Sequence, residues 1–233
     1  MYYSNCIEAI FMSRPNRFIA YCEVGGEEVK VHVKNTGRCK ELLIPGVTVY
    51  LEHSDNPSRK TAYSLIAVRK GERLINMDSQ APNKVVYEAL KNGSLSLPGL
   101  EGVLTHIQPE KMYKDSRFDV YLETDKEKVF VEVKGVTLEE EGIVRFPDAP
   151  TERGKKHVYE LMDALQQGYK TYVLFVIQME RVNYFTPNVV THAAFAEALR
   201  EAAGKGVQIL AYDCVVAPGE LTLGQPVVVK LIK

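Results

Sequence analysis

Two stretches constrain this chain more than any other: Ser116-Arg117-Phe118-Asp119-Val120-Tyr121-Leu122-Glu123 and Lys128-Val129-Phe130-Val131-Glu132-Val133-Lys134-Gly135. They read as two adjacent β-strands. Successive side chains of an extended strand alternate faces, so Glu132 and Lys134 project to one side and Val133 to the other. Carboxylates on neighbouring strands, here Asp119 and Glu132, can hold Mg²⁺ or Mn²⁺ through oxygen ligands and leave positions for water and a phosphate. A lysine beside them can orient a water and steady developing negative charge. The pattern points to metal-dependent phosphodiester cleavage, with a structural salt bridge as the plain alternative.

The surrounding composition suits such a reading without forcing it. A chain of 233 residues with 45% apolar and 25% charged residues is long enough for one large or two small globular domains. The start, Met1 to Cys6, has no basic region leading into an apolar run, so no secretory signal is expected. The longest apolar run, Tyr172 to Ile177, is too short to cross a bilayer, and no membrane partner is expected. Cys6, Cys22, Cys39 and Cys214 form no Cys-x-x-Cys pair, which argues against zinc and for a reduced, cytoplasmic protein. Net charge is −1, divided as +2 over residues 1–80 and −3 over the rest. Any nucleic-acid footprint must therefore be a local patch.

The first part reads as all-β. Ile7–Met12, Arg17–Val24, Glu27–Val33, Val47–Glu52 and Ala62–Arg69 are strand-like, with Gly25-Gly26 as a tight turn and one helical turn expected at 38–43. Such a series suggests an OB-like barrel, although an SH3-like barrel or a sandwich would give a similar pattern. From Asn76 the texture changes. Ala81–Lys91 reads as a helix stopped by Asn92-Gly93, and Val103–Gln108 as a strand before the two opening segments. Thr151 is placed to cap a helix carrying Val158, Leu161, Met162 and Leu165, ended by Gly168. Tyr172–Gln178 reads as a buried strand, Ala193–Ala203 as a helix, and Val207–Tyr212 and Val227–Ile232 as strands. The Glu139-Glu140-Glu141 run reads as a solvated loop.

The order helix, three strands, helix, strand around Asp119 and Glu132-x-Lys134 resembles the PD-(D/E)XK nuclease superfamily. Longer motifs are more specific: His32-Val33-Lys34-Asn35-Thr36-Gly37-Arg38, Lys40-Glu41-Leu42-Leu43, Ser116-Arg117-Phe118-Asp119, Val131-Glu132-Val133-Lys134-Gly135-Val136-Thr137-Leu138, and Phe146-Pro147-Asp148-Ala149-Pro150-Thr151-Glu152-Arg153-Gly154-Lys155-Lys156-His157. Together these resemble the sugar fermentation stimulation protein A family over nearly the whole chain. One departure is Thr191-His192-Ala193-Ala194, where many relatives are expected to carry an aspartate.

The resemblance implies a mixed α/β protein: an OB-like nucleic-acid-binding barrel over 1–80, then a restriction-endonuclease-like α/β domain over 81–233. It implies a cytoplasmic DNA-binding protein linked to regulation of sugar-utilisation genes, with Asp119 and Glu132 as metal ligands and Lys134 as the catalytic lysine. Glu88 on the preceding helix is a further metal-site candidate, against a plain ion pair with Lys84. Asn35, Thr36, Arg38 and Lys40 offer donors to phosphate, as do Arg117 and, at a helix start, Arg153 and Lys155. Gln178 could reach the site or merely cap its strand, and His157 reads as a packing or solvent residue. Tyr2, Tyr3, Phe18 and Tyr21 are stacking candidates if the barrel takes single strands. Two functions compete: a DNA-binding protein with a phosphodiester-cleaving metal site, and a non-enzymatic DNA-binding regulator that keeps the nuclease fold as a scaffold. RNA or single strands are further candidate partners, and a homodimer is an open assembly state.

Overall fold

A computed structural model describes residues 1–35, 37 and 39–231. The amino-terminal part is built from β1 (Cys6–Asn16), β2 (Ile19–Val24), β3 (Glu27–Val33), β4 (Thr48–His53) and β5 (Tyr63–Lys70). Their order is β3-β2-β1-β4-β5, and β3 closes on β5 in parallel through Val31–Tyr63 and Val33–Leu65. This closed five-stranded barrel leaves no free edge among these strands, which is the OB-like outcome. Alternation along β1 buries Ala9 and Phe11 and exposes Ile10 and Met12. Gly25 and Gly26 both take positive φ, 60° and 89°, as the tight β2–β3 turn requires. Residues 39–43 form a turn in which Leu43 N–H donates to the Cys39 carbonyl at 2.9 Å, and Cys39, Leu42 and Leu43 are buried. The remainder of the expected helical turn, Arg38, lies outside the described residues. A strand that sequence reading missed, β6 (Arg73–Asn76), pairs with β5 and leads out of the barrel.

The second part contains α1 (Ala81–Lys91), β7 (Leu104–Tyr113), β8 (Ser116–Thr124), β9 (Lys128–Val136), β10 (Leu138–Glu140) and β11 (Ile143–Phe146). After them come α2 (Glu152–Gln166), β12 (Lys170–Ile177), β13 (Tyr184–Pro187), α3 (Val189–Lys205), β14 (Gln208–Ala217) and β15 (Glu220–Pro226). The main sheet runs β15-β14-β12-β9-β8-β7, with β9, β12 and β14 mutually parallel and the outer strands antiparallel. Helix α1 packs Val85, Val86, Ala89 and Leu90 on one face, against Val131, Val133, Leu174 and Val176. Helices α2 and α3 cover the other face, with Val158, Leu161, Phe195 and Leu199 against Phe130, Val173 and Phe175. Residues covered on both faces explain why β12 is apolar almost throughout. Thr151 Oγ1 accepts from Gly154 N–H at 3.0 Å and so caps α2. No described helix is long and apolar enough to cross a membrane.

Three expectations are corrected. The strand begun near Val103 runs on to Tyr113, because Pro109, which has no N–H to give to a ladder, is tolerated on an edge strand. The last strand is not at 227–232: β14 continues to Ala217, turns at Gly219 (φ 80°), and β15 returns beside it. Val229 makes a single bridge to Phe185, and Ile232 lies outside the described residues. The acidic run is not simply solvated, since Glu139 is 3% exposed. Its carboxylate meets Lys70 and Arg73 of the first part, each at 2.7 Å, and accepts from Gly142 N–H. With Gln178 Nε2 donating to Asn76 and to the Asp78 carbonyl, this polar seam joins the two halves.

Candidate metal centre

The antiparallel ladder between β8 and β9 ends at Val120–Val131. One residue further, the pairing stops. The Asp119 carboxylate accepts the Val133 N–H through Oδ2 at 2.8 Å, so the side chain takes a donor that a continued ladder would have used. Its other oxygen, Oδ1, accepts from Asn83 Nδ2 at 2.8 Å, in the first turn of α1. A break in strand pairing thus fixes one carboxylate beside the stretch of β9 that carries Glu132 and Lys134.

Glu132 is almost wholly enclosed, with its side chain 2% exposed. Lys134 Nζ lies 2.5 Å from Oε1, and His157 Nδ1, from α2, lies 2.6 Å from the same oxygen. The second oxygen, Oε2, is buried and meets no hydrogen-bond partner among the described residues. An unpartnered buried carboxylate oxygen is costly, and a cation ligand is one way to satisfy it. Burial pushes the Glu132 carboxyl upward, but Lys134 and His157 outweigh it and hold the group below the usual carboxylate range. Asp119 goes the other way: burial, with the charge of Glu132 added, raises it from 3.8 to about 6 despite the Val133 N–H, Lys134 and Asn83. Two carboxylates with opposed environments, close enough for the charge of one to shift the other, thus share this region, a pattern that gathers at functional sites.

These donors suit a hard cation that takes oxygen ligands. Among the described residues no cluster of three or more His, Cys, Asp and Glu side chains could enclose a metal, so any ion here completes its shell with other ligands. Access is through a hollow of about 450 Å³ that reaches Asp119, bordered by Asn83, Lys84 and Tyr87 of α1 and by Pro109 and Glu110 of β7.

The other sequence candidates are distributed. Glu88 is not gathered at the site: its half-exposed carboxylate pairs with the Met1 amino group at 2.8 Å, not with Lys84. Asn35 Oδ1 accepts from Gly37 N–H at 2.8 Å, and the Asn35 and Gly37 carbonyls are both held by Arg14, at 2.7 and 2.9 Å. Exposed Lys40 borders a hollow of about 610 Å³ with Arg14, Asn16 and Arg17 on the barrel. Thr36 and Arg38 lie outside the described residues. Arg117 pairs with Glu110 at 3.2 Å. Arg153 and Lys155 border an open hollow of about 710 Å³ with Lys114 and Lys156, although Lys155 is paired with Glu152 at 2.6 Å. Gln178 caps its strand at the seam, and Tyr3 is buried there with its hydroxyl on Asp78, whereas Tyr2 and Phe18 are exposed and Tyr21 is partly buried. Sequence reading missed Asn83, Arg14 and, most of all, His157, which is neither solvated nor mere packing.

Comparison with known proteins agrees with this architecture. Residues 12–77 match a family model described as the SfsA N-terminal OB domain, and 80–220 match the sugar fermentation stimulation protein RE domain. The chain is 57% identical over 233 residues to a sugar fermentation stimulation protein homolog of Desulfitobacterium hafniense strain Y51, covering 100% of both. It is 56% identical over 231 residues to the homolog of Ruminiclostridium cellulolyticum, covering 99% of this chain and 100% of that one. Among solved structures, Pyrococcus furiosus SfsA in complex with Ca²⁺ superposes with a TM-score of 0.87 at 28% identity, over 99% of this chain and 98% of that one.

Proposed function

The chain belongs to the sugar fermentation stimulation protein family, and we propose that it is a DNA-binding protein with a divalent-metal site that hydrolyses phosphodiester bonds. The observation that carries this reading is Glu132 Oε2, buried and unpartnered among the described residues, on a carboxylate that pairs with Lys134 and whose charge Asp119 feels. The Ca²⁺ complex of the Pyrococcus furiosus relative supports a hard cation, for which Mg²⁺ or Mn²⁺ is the working choice here. Asp119 and Glu132 would hold the ion, which supplies charge neutralisation at the phosphate and a more acidic bound water. The residues do the rest. Asp119 is ready as a ligand once ionised, above about pH 6. Lys134, 16% exposed and anchored on Glu132, is placed to donate to an attacking water or to the charge that builds on phosphate. Asn83 holds Asp119 from the hollow side. The basic residues of the α2 hollow and of the Asn35–Lys40 region would grip the nucleic-acid backbone.

A second reading has its own observation. Lys134 already pairs with Glu132, and both Asp119 oxygens are hydrogen-bonded, so the cluster is also a self-satisfying scaffold for a regulator that binds without cutting. Duplex DNA, single-stranded DNA and RNA, incubated with Mg²⁺ or Mn²⁺, separate the two. Hydrolysis by wild type that disappears in Glu132→Gln and Lys134→Met supports the enzyme. No cleavage of any substrate by wild type, with DNA binding intact, leaves the regulator.

A further inference from the structure

Among the described residues Glu132 receives two donors on one oxygen and none on the other, and the donor that crosses from another element is His157. We propose that His157 is a positioning residue for the cation site: it fixes the Glu132 carboxylate so that Oε2 is presented bare to the ion. This rests on the metal-site reading above and adds to it a residue that touches neither cation nor substrate.

The geometry is specific. His157 sits in the second turn of α2, among its buried residues, and its side chain is 5% exposed. Phe118 meets the ring edge-on at 6.0 Å between centroids, which limits its swing. The remaining ring nitrogen, Nε2, faces Arg153 Nε one helical turn earlier at 3.5 Å. An ionised carboxylate oxygen only accepts, so Nδ1 carries the proton that goes to Glu132. Lys134 lies on the same strand as Glu132 and moves with it, whereas His157 ties the carboxylate to a different element. Without that tie the carboxylate could rotate and offer either oxygen. Groups that hold a ligating side chain from behind typically change metal affinity by about 10–100-fold when removed.

The test is a Mn²⁺ titration of chelator-treated full-length protein, followed by loss of the free-ion EPR signal, with a thermal melt in chelator as the folding control. Wild type should bind and Glu132→Gln should not. His157→Ala should bind about 10–100-fold more weakly. His157→Asn, whose amide nitrogen falls near the position of Nδ1, should recover most of the loss, whereas His157→Gln, whose amide nitrogen falls near Nε2, should not. A role in packing alone would not distinguish the two amides. His157→Ala binding as tightly as wild type, or Asn and Gln variants binding alike, overturns the assignment. If His157→Ala does not fold, the Asn–Gln comparison alone decides. If wild type and Glu132→Gln bind equally, or neither binds, it is the metal-site reading that fails, and this inference falls with it.

Discussion

Replacing Asp119 with asparagine tests whether the two carboxylates are held ready for a cation or serve as an internal salt bridge. In the metal-free fold the Asp119 carboxyl titrates at about 6 against an ordinary value of 3.8, with burial the first cause and Glu132 the second. At about 1.4 kcal/mol per tenfold change in proton affinity, the ionised form costs the fold about 3 kcal/mol. The sign follows from proton uptake. A raised carboxyl binds its proton more tightly when folded, so stability from this group falls as pH rises from about 4 to 6, and the cost is complete above that. Asparagine resembles the neutral acid and can still accept from Val133 N–H, with the Asn83 amide turned to match. Asp119→Asn should therefore melt higher than wild type at pH 8 in chelator, by roughly 6–12 °C for a chain of this size. The difference should vanish below pH 4. Adding Mn²⁺ at about a hundred times its Kd stabilises wild type by about 2.7 kcal/mol, while a variant that has lost a ligand gains much less, so the gap should close. Melts across pH 4 to 8.5, with and without metal, give the answer. An asparagine variant that melts below wild type at pH 8 without metal would refute the reasoning, because the ionised carboxylate would then be a net stabilising partner.

Three further outcomes are expected. Lys134→Met leaves the enclosed Glu132 carboxylate with His157 and should cost about 3 kcal/mol in chelator, at the low end for breaking a buried pair; a melt with Mn²⁺ should recover part of it. Glu139→Ala deprives Lys70 and Arg73 of their shared buried acceptor, and calorimetry should show an early transition of the barrel separating from the main unfolding peak. Replacing Arg153 and Lys155 together with alanine should flatten the log–log salt dependence of DNA affinity by about 0.9 per lost phosphate contact, and an unchanged slope moves the contact surface elsewhere.

What the sequence disclosed depends on the range of the forces involved. Barrel strands and the helices α1 and α2 were legible because alternation, the 3.6-residue period and the Thr151 cap are decided within a few residues, whereas α3, expected from Ala193, starts at Val189 on an Asn188 cap. The short strands β10, β11 and β13 were not. The parallel pairing of β11 with β13 sets Ile143 against Tyr184, some forty positions on, and no local pattern announces it. Glu139 looked like a member of a solvated acidic run because the cations that bury it, Lys70 and Arg73, come from the other half of the chain. The site divides in the same way. Glu132 and Lys134 share a face by strand periodicity alone, which any reading of β9 recovers. Asn83 and His157 reach the carboxylates from helices 36 and 25 positions away, and neither residue type advertises the contact. Strand geometry can thus display the two acids, but their unequal character comes from neighbours that only the fold supplies. Asp119 takes a backbone N–H where a ladder stops, and Glu132 has one oxygen doubly claimed and the other left bare. That inequality is the part of the site on which a cation's preference, and hence the chemistry, turns.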